Sequence, residues 1–314
     1  LNYNYQVPEH KKLRLIINTD AKNEADDQFA IVHALLTPKF DIKGIIAAHF
    51  GERKSDRSME DSYDEIEKLL GLMDLQSEVN VVKGAPKAMP GEETSVMSDG
   101  AQLIIDEAMK DDSKPLYVIF LGPITDLACA YLQEPKIADK LTAIWIGGGV
   151  YPEGDREFNL SNDISAANVI LKSAIPLWQV PKNVYRMVKV GIAELEHRIR
   201  PHGEIGNYLF EQLAEYNHSP YWRNPWGDSW CLGDSPAVSL LIDDHPFHYE
   251  EKDAPLVTED MCYVSGASNS SRKIRVYNYI DSRFTLEDMF AKIALNYPEK
   301  SKTLLNKEVV NSEN

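Results

Sequence analysis

The stretch Leu15-Ile16-Ile17-Asn18-Thr19-Asp20-Ala21-Lys22-Asn23-Glu24-Ala25-Asp26-Asp27-Gln28 decides how the chain folds. It opens on an unbroken apolar run, the pattern of a strand buried on both faces. From residue 28 onward Phe29, Val32, Leu35 and Leu36 recur at helical spacing and stop before Pro38. A buried strand feeding a helix is the opening unit of a crossover-built sheet. The loop between them carries four carboxylates, Asp20, Glu24, Asp26 and Asp27, within eight residues. At ~4 Å and an effective dielectric near 20, each like-charged pair costs roughly 4 kcal/mol. Protonation or a cation must offset that repulsion. Hard oxygen donors select Ca²⁺ or Mg²⁺ over zinc.

Outward from this unit the same alternation repeats. Strands are expected at 42–48, 79–82, 116–121, 143–146 and 177–180, with helices at 58–70, 101–109, 126–132 and 166–171. The pattern predicts an α/β fold, a mainly parallel central sheet with helices on both faces in an open, doubly wound arrangement. Ligands of such sheets lie beyond the carboxyl ends of the strands. The acid cluster, residues 122–125 and residues 147–159 all follow strands, so they should meet on one rim. Residues 190–245 read as more helical, 255–280 as two strands and 286–297 as a last helix. Residues 1–12 read as an N-terminal arm, 13–307 as a single domain and 308–314 as a frayed tail.

Bulk composition narrows the partners. The 314 residues are 43% hydrophobic and 26% charged, ordinary for a globular chain. A formal charge of −16 repels phosphate backbones and anionic lipid, which argues against nucleic-acid polymers and membranes. No apolar run approaches the roughly 20 residues of a membrane span. The first residues show no signal-peptide pattern, although a cleaved signal would leave the same trace. Cys129, Cys231 and Cys262 lie far apart in apolar contexts and are expected to be buried free thiols. Free thiols favour the cytoplasm weakly, and the compartment stays open.

Four segments together point further. Asn18-Thr19-Asp20 precedes the pair Asp26-Asp27. Then come Gly122-Pro123-Ile124-Thr125-Asp126-Leu127-Ala128, and Gly147-Gly148-Gly149 ahead of Glu157-Phe158-Asn159, Asp163 and Ala166-Ala167. Last is Gly233-Asp234-Ser235-Pro236-Ala237-Val238. In this order, each beside the expected element, they resemble the nucleoside hydrolase (inosine-uridine preferring) family over about residues 13–245. The resemblance implies a nucleoside-hydrolase-like fold with one Ca²⁺ held by Asp20, Asp27, Asp234 and the backbone carbonyl of Thr125. It implies that Asp20 takes a proton from the water that attacks the anomeric carbon of a small-molecule glycoside. The sugar then passes through an oxocarbenium-like state. By the same resemblance Asp26, Glu157 and Asn159 hold ribose hydroxyls, and the chain forms homo-oligomers. His49, ending the second strand, is a candidate sugar contact. Trp226, in the tryptophan-rich stretch 221–230, is a candidate stacking surface.

Plainer roles compete at each position. Asp26, Asp27, Asp234 and Thr125 all stand where helix caps stand. The triple glycine lacks dinucleotide-binding spacing and could be a tight turn. Several positions also depart from the family pattern. Asn18 replaces the first acid of its Asp-x-Asp, the loop to Asp26 is two residues longer, and Gly233 replaces a histidine that often protonates the departing base. These losses fall on the leaving-group and outer-sugar side, so the leaving group is left open. An aspartate-nucleophile phosphatase is opposed by Asn18. A Ca²⁺-assisted sugar-binding protein, or a hydrolase of another carbohydrate glycoside on this scaffold, is the alternative.

Overall fold

Leu13–Thr19 forms β1 and is buried along its whole length, as its apolar run requires. The computed structural model describes residues 1–219, 227–265 and 272–299. Five further strands follow in the first 180 residues: β2 (Phe40–Ala47), β3 (Val81–Lys83), β4 (Leu116–Phe120), β5 (Leu141–Ile146) and β6 (Leu177–Val180). The helices between them are α1 (Asp27–Leu35), α2 (Ser58–Leu72), α3 (Asp99–Ala108), α4 (Thr125–Gln133), α5 (Phe158–Asn162) and α6 (Ile164–Lys172). Beyond residue 180 come α7 (Lys182–Tyr185), β7 (Lys189–Gly191), α8 (Ile192–Arg198), α9 (Gly203–His218), β8 (Ser229–Cys231) and α10 (Ser235–Ile242). The chain continues through β9 (His248–Asp253), β10 (Pro255–Val257), β11 (Tyr263–Ser265), β12 (Lys273–Tyr279) and α11 (Ser282–Asn296).

The central sheet has eight strands in the order β3-β2-β1-β4-β5-β6-β12-β9. All neighbours run parallel except β9, which is antiparallel to β12. The α/β, mainly parallel architecture expected from the alternation is therefore the one observed. From β1 the chain winds to β2 and β3 on one side, then crosses to β4 on the other. The carboxyl ends of β1 and β4 are thus the point where winding reverses, the usual place for a ligand crevice.

Alternation along β1 divides the core. Leu15 and Ile17 join the cluster under α1, α2 and α10, while Ile16 joins the cluster under α3, α4 and α6. Each such side chain taken fully from water contributes roughly 1.5–3 kcal/mol. The first residues are tied to the last described helix, with Asn2 N donating to Asn296 Oδ1 at 2.8 Å.

Three details differ from the sequence reading. The described residues between 255 and 280 hold three strands rather than two; of these β12 enters the main sheet while β10 and β11 pair with each other. Strand β9 was not foreseen, because an exposed edge strand reading His-Tyr-Glu-Glu-Lys-Asp carries no apolar alternation. The three thiols are free, yet Cys262 is exposed and Cys231 only partly covered; Cys262 sits in the turn closed by Thr258 just before β11. Among the described residues no helix is long and apolar enough to cross a membrane.

Candidate active site

Asp20 is the first residue after β1 and is almost fully buried. It can lie there because residue 122, at the end of β4, is glycine: a Cβ at that position would stand 2.8 Å from the Asp20 carboxyl carbon. Trp145 of β5 holds this turn by donating its indole N–H to the Gly122 carbonyl at 3.1 Å. Asp26 and Asp27 open α1, and Asp234 opens α10 from the far end of the chain. Oxygens of Asp26, Asp27 and Asp234 lie within 4.8 Å of one another. Asp20 lines the same cavity of about 60 Å³. That is room for a few water-sized groups.

Capping does not explain these side chains. Asp26 and Asp234 occupy N-cap positions, but neither carboxylate accepts a cap hydrogen bond. Asp26 Oδ2 instead accepts from Gly233 N at 3.0 Å, and Asp27 Oδ1 from the Thr19 hydroxyl at 2.5 Å. Asp20 Oδ2 is buried with no hydrogen-bond partner among the described residues. Burial holds the Asp20 carboxyl well above the usual carboxylate range, and the nearby Asp27 and Asp26 push it higher. Burial likewise raises Asp26, with Glu24 and Asp27 adding to it, and raises Asp234, with Asp26, Asp27 and Asp20 adding to it. Asp27 is pushed up to about 6 by burial, tempered by its bond to Thr19 and by a shared hydrogen bond with Asp234. Glu24 is pushed up to about 7, mainly by burial, with Lys54 opposing. Without a cation the cluster can relieve its repulsion only by taking up protons. An all-oxygen donor set with one orphaned carboxylate oxygen fits a hard divalent ion.

The neighbouring wall is built differently. Glu157 caps α5, and its carboxylate accepts from Gly148 N at 2.9 Å, Leu160 N at 2.8 Å, Asn159 N at 3.1 Å and the Tyr185 hydroxyl at 3.0 Å. Asn159 donates both amide hydrogens to strand-end carbonyls, Leu121 O at 2.7 Å and Ile146 O at 2.8 Å. Its Oδ1 is left as the acceptor it can offer to a ligand. Both residues line the acid cavity.

Thr125 and His49 lie one layer away and are not among the residues lining that cavity. The His49 ring accepts from Gly51 N at Nδ1 (3.3 Å), which leaves Nε2–H to donate to Thr125 Oγ1 at 2.9 Å. Thr125 in turn donates to Asp163 Oδ2 at 2.8 Å. Burial holds His49 down to about 4, so it is neutral in this chain of donors. This relay fixes the position of the Thr125 backbone, whose carbonyl is the group expected at the metal. Trp226 lies outside the described residues.

The sequence reading did not foresee Tyr185 and Phe158, which line the cavity beside Gly233. Tyr185 follows β6 by the short α7, so the strand-end rule that flagged residues 122–125 applied to it as well. A Cβ at Gly233 would meet the Tyr185 ring at 3.0 Å, so the tyrosine borders the space a side chain at 233 would enter. Beyond these residues a second cavity of about 610 Å³ opens, sharing Glu24, Asp26, Glu157, Phe158, Tyr185 and Gly233 with the first. Its size is that of a small-molecule site.

Residues 15–286 match the model of the inosine-uridine preferring nucleoside hydrolases. The chain is 23% identical over 240 residues to the pyrimidine-specific ribonucleoside hydrolase RihA of Salmonella paratyphi A, covering 68% of this chain and 74% of that protein. Its fold matches a purine-preferring ribonucleoside hydrolase from Gardnerella vaginalis with a TM-score of 0.75 at 19% identity, covering 90% of this chain and 99% of the other. A plant nucleoside hydrolase matches with a TM-score of 0.71 at 18% identity, covering 90% and 98%. The chain belongs to the inosine-uridine preferring nucleoside hydrolase family, and is thereby a hydrolase of N-glycosyl compounds.

Proposed function

We propose that this family member is a Ca²⁺-dependent hydrolase of ribosides, working at the carboxyl ends of β1 and β4. The observation that carries this reading is the meeting of Asp26, Asp27 and Asp234, drawn from both ends of the chain, beside the unpartnered buried oxygen of Asp20. Asp20, Asp27, Asp234 and the Thr125 carbonyl would hold the ion, and the proximity of Asp26 makes it a further donor. When bound, the ion supplies Lewis acidity and lowers the pKa of a nearby water.

The chain's own groups do the rest. Asp20 has an oxygen without a donor, so it is the group able to accept the proton of the attacking water. Asp26 and the Oδ1 of Asn159 accept hydrogen bonds from ribose hydroxyls and orient the ring, while Glu157, expected as a third acceptor, has its carboxylate taken by four donors and holds the turn that carries Asn159. The carboxylates around the ring stabilise the positive charge that develops as the glycosidic bond breaks. His49 acts through Thr125, holding that residue rather than touching the sugar.

Position 233 supplies no side-chain acid to the leaving group. RihA is described as pyrimidine-specific and the Gardnerella enzyme as purine-preferring, so likeness to them does not select a base. The absent acid also favours the second reading, Ca²⁺-assisted sugar binding without turnover. Reducing-sugar release from a panel of ribosides, with calcium and with chelator, decides between them. Release that needs calcium is expected. Calorimetric ribose binding with no release from any riboside would establish the second reading instead.

A further inference from the structure

The larger cavity is unlike the rest of this acidic protein. Among the described residues thirteen line it and five of these are Lys or Arg, against 33 among all 314 residues, so this enrichment in basic residues is not background composition. They are Lys54, Arg156, Lys182, Arg186 and Lys189. Lys182 is committed to Asp155 at 2.6 Å and to the Arg156 carbonyl at 2.7 Å. Arg156 and Arg186 are exposed. Among the ion pairs of the described residues, the partners are other groups and neither guanidinium takes part.

Three acids share this cavity, Glu24, Asp26 and Glu157, fewer than its five basic residues, and Lys54, Arg186 and Lys189 offset part of the effect of burial on the Glu24 carboxylate. Asp26 stands in the carboxylate cluster, and the carboxylate of Glu157 is already taken by four donors. Apolar surface completes the compartment. Phe158, Tyr185 and Trp230 line it, and the Lys54 ammonium stands 5.1 Å from the centre of the Phe158 ring. Flat aromatic faces beside guanidinium groups suit a planar group that carries negative charge. The cavity adjoins the acid cluster through Gly233 and Asp26, so one molecule can reach both.

We infer that the substrate is an anionic N-riboside, its negative charge held at Arg156 and Arg186 in the cavity beyond Gly233. This inference rests on the riboside reading above and specifies its substrate class. Two sources offer the chemistry: a carboxylate on the heterocycle, or a phosphate on the sugar. The neighbourhood of Gly233, on the leaving-group side, favours the heterocycle.

Three probes separate the cases with calcium-loaded protein. Uridine is neutral, orotidine adds a carboxylate to the same base, and uridine 5′-monophosphate adds a phosphate to the sugar. Orotidine should be preferred over uridine by at least about tenfold in kcat/KM, and the preference should weaken with added salt. Preference for the monophosphate instead would place the charge on the sugar and keep the anionic class. The double variant Arg156→Ala/Arg186→Ala should erase the ratio of anionic to neutral substrate, and Arg156→Lys/Arg186→Lys should restore most of it. Equal use of all three compounds, or an equal loss on all three in the alanine variant, would overturn the inference. Calorimetric binding of orotidine and uridine covers an enzyme that hydrolyses none of them. Orotidine binding that depends on the two arginines would sustain the anion site while the hydrolase reading falls. Equal or no binding of both would sink the anion site as well.

Discussion

Asp126, Glu157 and Asp163 are buried as deeply as Asp20, Asp27 and Asp234, on the same rim of the same sheet, yet the two sets are built for opposite ends. Each member of the first set is saturated with donors. Asp126 accepts from Asn18 Nδ2 at 2.8 Å, Ala85 N at 2.8 Å and the Ser98 hydroxyl at 2.6 Å. Asp163 accepts from Ala166 N, Met89 N and the Thr125 hydroxyl. Burial raises the pKa of all three, and the hydrogen bonds pull it back. In the second set neighbouring carboxylates reinforce burial at Asp20 and Asp234, while Asp27 is tempered by Thr19, by its backbone and by a hydrogen bond shared with Asp234 itself. A buried carboxylate surrounded by N–H groups is a finished structural part. One surrounded by other carboxylates keeps their repulsion unless a proton or a cation offsets it.

The contrast breaks most visibly on mutation. Asp20→Ala and Asp234→Ala should each abolish calcium binding in a calorimetric titration and lower riboside turnover by about 10³-fold or more. In chelator their melting temperatures should equal or exceed that of the parent, because each removes a like charge. Retained calcium in both variants, with normal folding, would refute the site.

Asp126→Ala should show the reverse. It strands two buried donors and the half-buried Ser98 hydroxyl and should cost roughly 3 kcal/mol in denaturant unfolding, while the folded protein keeps its calcium affinity. A loss of calcium binding without loss of stability would merge the two sets.

The pH dependence sharpens the same division with a smaller effect. Asp27 moves from 3.8 to about 6 and Glu24 from 4.5 to about 7 in the ion-free fold. The folded state then binds more protons than the unfolded chain between these values. Their contribution to stability is therefore full below pH ~4 and lost as pH rises through 6 and 7. His33 and His49, both lowered by burial from 6.5 to about 4, act with the opposite sign: their contribution is lost as pH falls from 6.5 toward 4. The histidine contributions are common to loaded and chelated protein. The difference in melting temperature between calcium and chelator should therefore widen from pH 5 to pH 7.5. A constant difference would remove the carboxylates from the ion's binding.

Much of the fold is legible in the sequence. β1 could be seen because a strand buried on both faces needs an unbroken apolar run, and α1 because Phe29, Val32 and Leu35 repeat with the helical period. Glu157 and Asn159 could be named only by resemblance, since their local sequence is that of any loop-to-helix turn. β9 was invisible because no apolar face constrains its residues. Tyr185 and the basic cavity were missed because nothing in the sequence joins residues 54, 156, 186 and 230.

The order of strands and helices, and the crowding of acids after β1, follow from the chain alone, because periodicity and local charge are properties of neighbours in sequence. Which acids end as saturated structural groups and which face one another bare was decided by tertiary structure. Asp126 and Asp27 each stand beside an ordinary helix start. Only the approach of Ala85, Ser98 and Asn18 to one, and of Asp234 to the other, makes them different, because desolvation and Coulomb forces depend on distance in space rather than along the backbone.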